Sequence, residues 1–267
     1  MYLSYYGLEF NPFDKEVDIK YSFETNDLKI LNNRLEFIKD HRGIGLITGN
    51  PGLGKTYSIR KFVNSLNTNL YKVIYICMST LTVYEFYKQL CYELDIEPPF
   101  KKIDMFKAIQ ERIVNLVKDR KINVIIIIDE AQYLRTPILN DLKILLNFEL
   151  DSKNYASLIL VGQPVLNSIL SRNTFEALNQ RITVSYNMNG ISKEELTNYI
   201  NSRITIAHGN SGIFNDQALE AIYSACNGSI RIANNLLTKS LIIGKIKEKS
   251  IIDSDIVLEA SNELALG

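Results

Sequence analysis

The sequence predicts an α/β fold, an αβα sandwich on a parallel sheet, followed by a small all-helical lid domain. Three observations lead there. Apolar strand-like runs alternate with amphipathic helical stretches from about residue 27 to Tyr186, the pattern of a parallel sheet covered on both faces. The run Ile44 to Thr48 feeds the glycine-rich stretch Gly49-Asn50-Pro51-Gly52-Leu53-Gly54-Lys55-Thr56, and a helical pattern follows at once. After Asn187-Met188-Asn189-Gly190 the alternation stops and only helical patterns remain. The expected division is therefore 1–42 as N-terminal linker and helix, 43–188 as the P-loop core, and 189–267 as the helical lid.

Taken in order, residues 1–26 are aromatic and turn-rich, with Tyr5, Tyr6, Phe10, Phe13, Tyr21 and Phe23 around the break at Asn11-Pro12. Leu28, Leu31, Leu35 and Ile38 recur at helical spacing and predict a helix over 27–40. Strands are expected at 43–48, 71–78, 123–129 and 156–162, with a last one ending near Tyr186. The β-branched run at 123–129 suits the middle of a parallel sheet. Between them the spacing predicts helices through Leu66, over 82–94, over 104–120 with Asp104 as N-cap, and over 137–150. The tail predicts helices near 192–208, 215–226, 230–247 and 253–264. Ser192 with Glu195 forms a capping box, and Asp253 is a good N-cap.

Composition narrows the partners. Apolar residues make up 46% and charged residues 22% of 267 residues, which is ordinary for a globular chain. Thirty Lys plus Arg balance thirty Asp plus Glu, so nucleic acid would have to be met by a local patch rather than an overall field. Cys77, Cys91 and Cys226 are scattered and His41 and His208 isolated, which fits a reduced setting and argues against zinc. The start has no basic segment leading an apolar core, and the longest apolar run, Val124 to Ile128, is too short to cross a bilayer. A cytoplasmic protein without a membrane partner is expected.

The chemistry sits in two stretches. Glycines let the loop's amide N–H groups curl inward on a phosphate, and the following helix adds the positive end of its dipole there. Lys55 would face the β- and γ-phosphates and Thr56 would ligate Mg2+, so ATP and Mg2+ are the expected cofactors, with Asn50 to Tyr57 lining the site. The second stretch, Val124-Ile125-Ile126-Ile127-Ile128-Asp129-Glu130, ends a strand in two carboxylates where ligands of open α/β folds sit. Asp129 would hold Mg2+ beside Thr56, and Glu130 would take the proton of the attacking water.

With Ala131-Gln132 behind that pair, the chain resembles the AAA+ class of P-loop ATPases. The fit is closer still to the ExeA-like branch, which resembles the helper ATPases of transposition such as TnsC and IstB. Matching stretches are Tyr6-Gly7-Leu8, Asn11-Pro12-Phe13, Leu160-Val161-Gly162-Gln163-Pro164, Asn179-Gln180-Arg181-Ile182 and Gly228-Ser229-Ile230-Arg231. The resemblance implies Gln163 as a sensor of the γ-phosphate and Arg181 as a finger reaching a neighbouring subunit, with Arg172 as the alternative. It implies Arg231 as a lid-domain sensor, although Ile230 stands where relatives commonly carry proline. Phe10, Asn11, Pro12 and Phe13 would cover the adenine, and Lys88, Lys101 and Lys102 would meet a DNA backbone. Each has a plainer alternative: a turn glutamine before Pro164, surface arginines, aromatics packing the N-terminus on the core, solvated lysines. The resemblance implies an ATPase that forms a ring or filament on double-stranded DNA and licenses a transposase or recombinase. The alternatives are a secretion-associated ATPase or a nucleotide-gated scaffold in replication or recombination. The secretion-associated relatives carry a membrane segment and a C-terminal extension, and the chain to Gly267 shows neither.

Overall fold

The β-branched runs become five parallel strands: β1 (Ile44–Thr48), β2 (Tyr71–Ile76), β3 (Asn123–Ile128), β4 (Ala156–Gly162) and β5 (Ile182–Asn187), in the sheet order β2-β3-β4-β1-β5. This is a computed structural model, and it describes residues 2–14, 23–77, 80–149, 153–210 and 212–266. The described residues fall into two compact units. A core unit takes Ile30–Asn50 and Lys55–Met188, and a helical unit takes Met1–Lys29, Pro51–Gly54 and Asn189–Gly267.

In the core unit the inner strands β1, β3 and β4 are buried almost end to end, as parallel strands covered on both faces must be, while the edge strands β2 and β5 are partly exposed. Ile126, Ile128, Leu158 and Leu160 pack in one cluster with residues of α4 (Val83–Glu93), α5 (Lys102–Lys118) and α6 (Thr136–Leu145). On the opposite side Ser157 donates to the carbonyl of Ile38 in α2 (Asn26–His41) at 3.1 Å. The sheet order matters for function. With β4 between β3 and β1, the chain leaves the C-terminal edge at Gly49, Asp129 and Gln163 side by side.

Several predicted bounds move. α5 begins at Lys102, with Lys101 as a cap that makes no side-chain bond, so Asp104 is not the N-cap. The Asp104 and Met105 N–H groups already donate to the Lys101 carbonyl, closing the turn earlier, and Asp104 instead meets the helix dipole in the first turn. α6 stops at Leu145 rather than 150. Leu146 caps it, and Phe148 pairs across to Lys153 and packs edge-on against Tyr155. β2 ends at Ile76, and Met78, Leu150 and Tyr21 lie outside the described residues. Between β4 and β5 run two short helices, α7 (Val165–Leu170) and α8 (Glu176–Asn179), joined by a 3-10 turn at Asn173–Phe175.

The helical unit contains α1 (Tyr2–Tyr5), α9 (Lys193–Ile206), α10 (Asp216–Cys226), α11 (Ile230–Ile246) and α12 (Ser254–Leu266). The Ser192–Glu195 capping box forms, and Asp253 accepts from the Ile256 N–H at 3.1 Å. The N-terminal aromatics belong here. Tyr6, Leu8 and Phe13 are buried in the same apolar cluster as Ile200 and Leu237. The Tyr6 hydroxyl donates to the Lys249 carbonyl at 2.8 Å, and burial, then the neighbouring Tyr5, push its pKa up to about 12.

Candidate nucleotide site

In the core unit, α3 (Lys55–Ser65) starts directly after the glycine loop in sequence, which puts the positive end of its dipole at Lys55. The Lys55 side chain is buried, 6% exposed, and its ammonium donates to the carbonyls of Gly49 at 2.7 Å and Asn50 at 3.0 Å. Its charge is thereby held inside the curl. A buried ammonium on two backbone carbonyls at a helix start is the setting that a phosphate completes.

Asp129, 4% exposed, leaves β3 at the same edge. Its Oδ2 accepts from the Thr56 hydroxyl at 2.9 Å and from the Tyr75 hydroxyl at 2.7 Å. Burial, then the bond to Asp129, push the Tyr75 hydroxyl well above its usual pKa, so it stays a proton donor to that carboxylate. One hydroxyl and one carboxylate oxygen at contact distance are hard ligands of the kind Mg2+ takes, with phosphate oxygens and water filling the rest. The residues fit the ion at Thr56 and Asp129.

Glu130 follows in a left-handed conformation, φ 52° and ψ 38°, which costs a non-glycine residue about 1–2 kcal/mol. That turn sends the chain into a 3-10 turn at Ala131–Tyr133 and returns Gln132 toward the Glu130 carboxylate. The Gln132 amide donates to Glu130 Oε2 at 2.5 Å, while its carbonyl accepts from the Gln163 N–H at 3.0 Å. Gly162 makes room for it, since a Cβ there would stand 2.6 Å from Gln132 Oε1.

Lys55, Thr56, Asp129, Glu130 and the Gln163 backbone thus gather at one edge. Tyr57 extends α3 with the Arg60 guanidinium 5.7 Å above its ring. Tyr75 and Gln132 were given no role from sequence, and they hold the two carboxylates. A tyrosine near the end of a strand is a weak signal for that, because its partner depends on which strand lies beside it.

Arg181 is elsewhere. It precedes β5, at the edge where strands begin, about 15 Å from the glycine loop by strand rise. Its guanidinium donates to the Lys143 carbonyl at 2.8 Å. Arg172 is exposed after α7.

In the helical unit, Pro51–Gly54 lie against the start of α11. Gly52 and Gly54 have φ of +83° and +96°, and a Cβ on Gly52 would meet Ser229 Oγ at 2.3 Å. The Arg231 N–H donates to the Gly52 carbonyl at 3.4 Å, and the Arg231 side chain is exposed. At the N-terminus Pro12 and Phe13 are buried, Phe13 edge-on to Phe214, so Phe13 is a core side chain with no ring face to offer. Asn11 bonds Thr238 at 3.3 Å, and Phe10 remains half-buried.

The three lysines, all in the core unit, differ. Lys102 pairs with Asp141 at 2.5 Å and lies over the Tyr87 ring. Lys88 lies over Tyr92 at 5.8 Å. Lys101 is exposed beside Phe100, whose side chain is 96% exposed. Among the described residues no helix is long and apolar enough to cross a membrane.

Comparison with known proteins fits this geometry. The AAA domain profile matches residues 38–170. General secretion pathway protein A of Aeromonas hydrophila is 28% identical over 267 residues, covering 97% of this chain and 48% of that protein. The ATP-dependent target DNA activator B of Escherichia phage Mu is 29% identical over 123 residues, 46% of this chain and 37% of that protein. The chain thus spans about half or less of the curated relatives it matches. Among solved structures, Cdc6p of Pyrobaculum aerophilum aligns with a TM-score of 0.68 at 17% identity, over 94% of this chain and 70% of that one. ORC1 of Aeropyrum pernix in complex with DNA gives 0.64 at 18%, over 93% and 68%. The RuvB Holliday junction branch migration motor of Thermotoga maritima gives 0.59 at 19%, over 96% and 74%. At these identities the likeness is one of fold.

Proposed function

We propose, for a chain that carries an AAA domain on an AAA+ P-loop fold, that it hydrolyses ATP and uses the cycle to assemble on and leave double-stranded DNA. The observation that carries the ATPase reading is the Thr56–Asp129 contact behind the glycine loop, with Glu130 next in the chain. Lys55 binds the phosphates, and Thr56 and Asp129 would hold Mg2+, which would supply Lewis-acid stabilisation of phosphoryl charge. Glu130 takes the proton of the attacking water, and Gln163 senses the γ-phosphate end. Arg231 reaches the phosphates from α11, which begins beside Gly52, and Phe10 covers the adenine.

Arg181 stands at the far edge of its own sheet, so its part as a finger is played in a second copy of the chain. That makes nucleotide and self-assembly interdependent, as a ring or a filament. Lys101, with Lys88 and Lys102 near it in sequence, meets the phosphate backbone. The phage Mu relative is named as a target DNA activator, and this favours a helper that selects target DNA for a transposase or recombinase. One observation favours a second reading, a secretion-associated ATPase: the Aeromonas relative aligns over 97% of this chain.

Electron microscopy with a slowly hydrolysed ATP analogue, with and without duplex DNA, separates the two. Nucleotide-dependent filaments or rings threaded by DNA are expected. A particle that stays monomeric, or an assembly indifferent to DNA, would remove the DNA-helper reading.

A further inference from the structure

The peptide unit between Gly162 and Gln163 is held from both sides. Its carbonyl accepts from the N–H of Gly49, the first residue of the glycine loop, at 3.2 Å. Its N–H donates to Gln132 Oε1 at 3.0 Å, and the other end of the same amide donates to Glu130 Oε2 at 2.5 Å. Glycine loop, strand exit, Gln132 and Glu130 are thus joined by three consecutive hydrogen bonds within the core unit. Each end of the Gln132 amide has one partner of the right polarity, so rotating it by a half-turn would lose both bonds.

We infer that Gln132 is a positioning residue, which couples the glycine loop to the Glu130 carboxylate through the Gly162–Gln163 peptide. The inference rests on Glu130 being the base. The geometry has two chemical consequences. A carboxylate receiving an amide N–H on one oxygen keeps its other oxygen for a water proton, and its orientation is fixed. And any shift of the glycine loop as phosphate enters is passed to Glu130 through rigid amide groups rather than through solvent. Gly162 is part of the device, because only the missing Cβ lets the Gln132 carbonyl lie over that peptide.

Two substitutions isolate the two arms. Gln132→Met keeps the length and packing and removes both hydrogen bonds. Gln132→Glu keeps an acceptor for the Gln163 N–H but sets a second carboxylate against Glu130. Both should lower kcat about tenfold or more, the effect of losing orientation at a reacting group. The affinity for a fluorescent ATP analogue should stay within about twofold, and the melting temperature of the nucleotide-free protein should stay near wild type for Gln132→Glu. Affinity and melting temperature falling in step with kcat in both variants would mean that Gln132 only props the fold. Wild-type kcat in Gln132→Glu would equally overturn the inference, since the Glu130 arm would then carry nothing.

The closing measurement combines Gln132→Met with Glu130→Gln. If Gln132 acts through Glu130, the double variant turns over no more slowly than Glu130→Gln alone. An equal additional fall would show that Gln132 works by another route, leaving the base assignment intact. Wild-type turnover in Glu130→Gln by itself would instead remove the base assignment, and this inference with it.

Discussion

The two edges of the one sheet carry similar side chains and use them differently. At the C-terminal edge Lys55 donates to the Gly49 and Asn50 carbonyls, Thr56 and Tyr75 donate to Asp129, and Gln132 donates to Glu130. At the N-terminal edge Arg42 donates to the Asn154 carbonyl at 3.0 Å and to Asn123 at 2.8 Å, and Arg181 finishes the Lys143 carbonyl. Lys118 and Lys153 hold Glu149 there. Charge is therefore no mark of a site. What differs is burial: at one edge a buried ammonium and a buried carboxylate gather where strands end and α3 begins, while at the other the cations are spread over carbonyls and a carboxylate near the surface.

The largest test of that contrast is Lys55→Ala. Removing the one buried ammonium in the loop should weaken ATP binding at least about 100-fold, since the amides alone cannot balance the phosphate charge. Calorimetric titration measures it, and near-normal affinity would break the reading of this edge. Glu130→Gln comes next. It should leave affinity within a few fold and lower kcat by about 100-fold or more, in the range of a lost general base. Any ATP-dependent assembly should persist longer in it, which a sedimentation time course would follow.

Much of that edge was legible because its chemistry is contiguous. Eight residues from Gly49 to Thr56 encode strand exit, loop and helix start together, and Asp129-Glu130 follow an unbroken apolar strand. Tyr75 and Gln132 were not legible for a physical reason. Tyr75 stands in register with Ile127, a neighbourhood set by strand order that alternation of strands and helices does not specify. Gln132 reaches back only because Glu130 adopts a left-handed turn that no residue preference announces. The same limit moved the start of α5, where cap preference favoured Asp104 but the turn closed on Lys101. Phe13 read equally well as an adenine cover or a core ring, and only its neighbour Phe214 decides.

Arg181 sharpens the contrast from the other edge. If it serves a neighbouring site, Arg181→Ala should lower turnover while leaving binding unchanged. Mixed with Lys55→Ala, which keeps its arginine but binds no nucleotide, it should regain up to about half of the activity. No regain at any ratio would return Arg181 to its structural bond with Lys143 and shift the role to Arg172. A smaller effect is expected at the lysines. Lys101→Ala should weaken binding to duplex DNA and reduce the slope of log affinity on log salt by about 1. Lys102→Ala should change that slope less, because its ammonium is already engaged by Asp141 and the Tyr87 ring. Equal slopes would mean that the ion pair opens on DNA.

The smallest effect belongs to the N-terminal edge. Bonds from Lys118 first, then Tyr155 and Lys153, draw the Glu149 carboxyl down to about 2 from an ordinary 4.5. A carboxylate lowered on folding stabilises the protein at any pH above its unfolded value, and that contribution fades as pH falls from about 4.5 toward 2. Because Glu149 and both lysines are solvent-exposed, the contribution is small and screened by salt. Glu149→Gln should therefore melt slightly below wild type at neutral pH in low salt, with the gap closing on acidification below pH 4.5. Nucleotide affinity should not move, since Glu149 and the lysines that hold it lie at the opposite edge of the sheet from Lys55, Thr56 and Asp129. A gap that stays constant with pH would show that Glu149 acts by shape rather than charge, and a change in ATP affinity would show that the two edges are coupled.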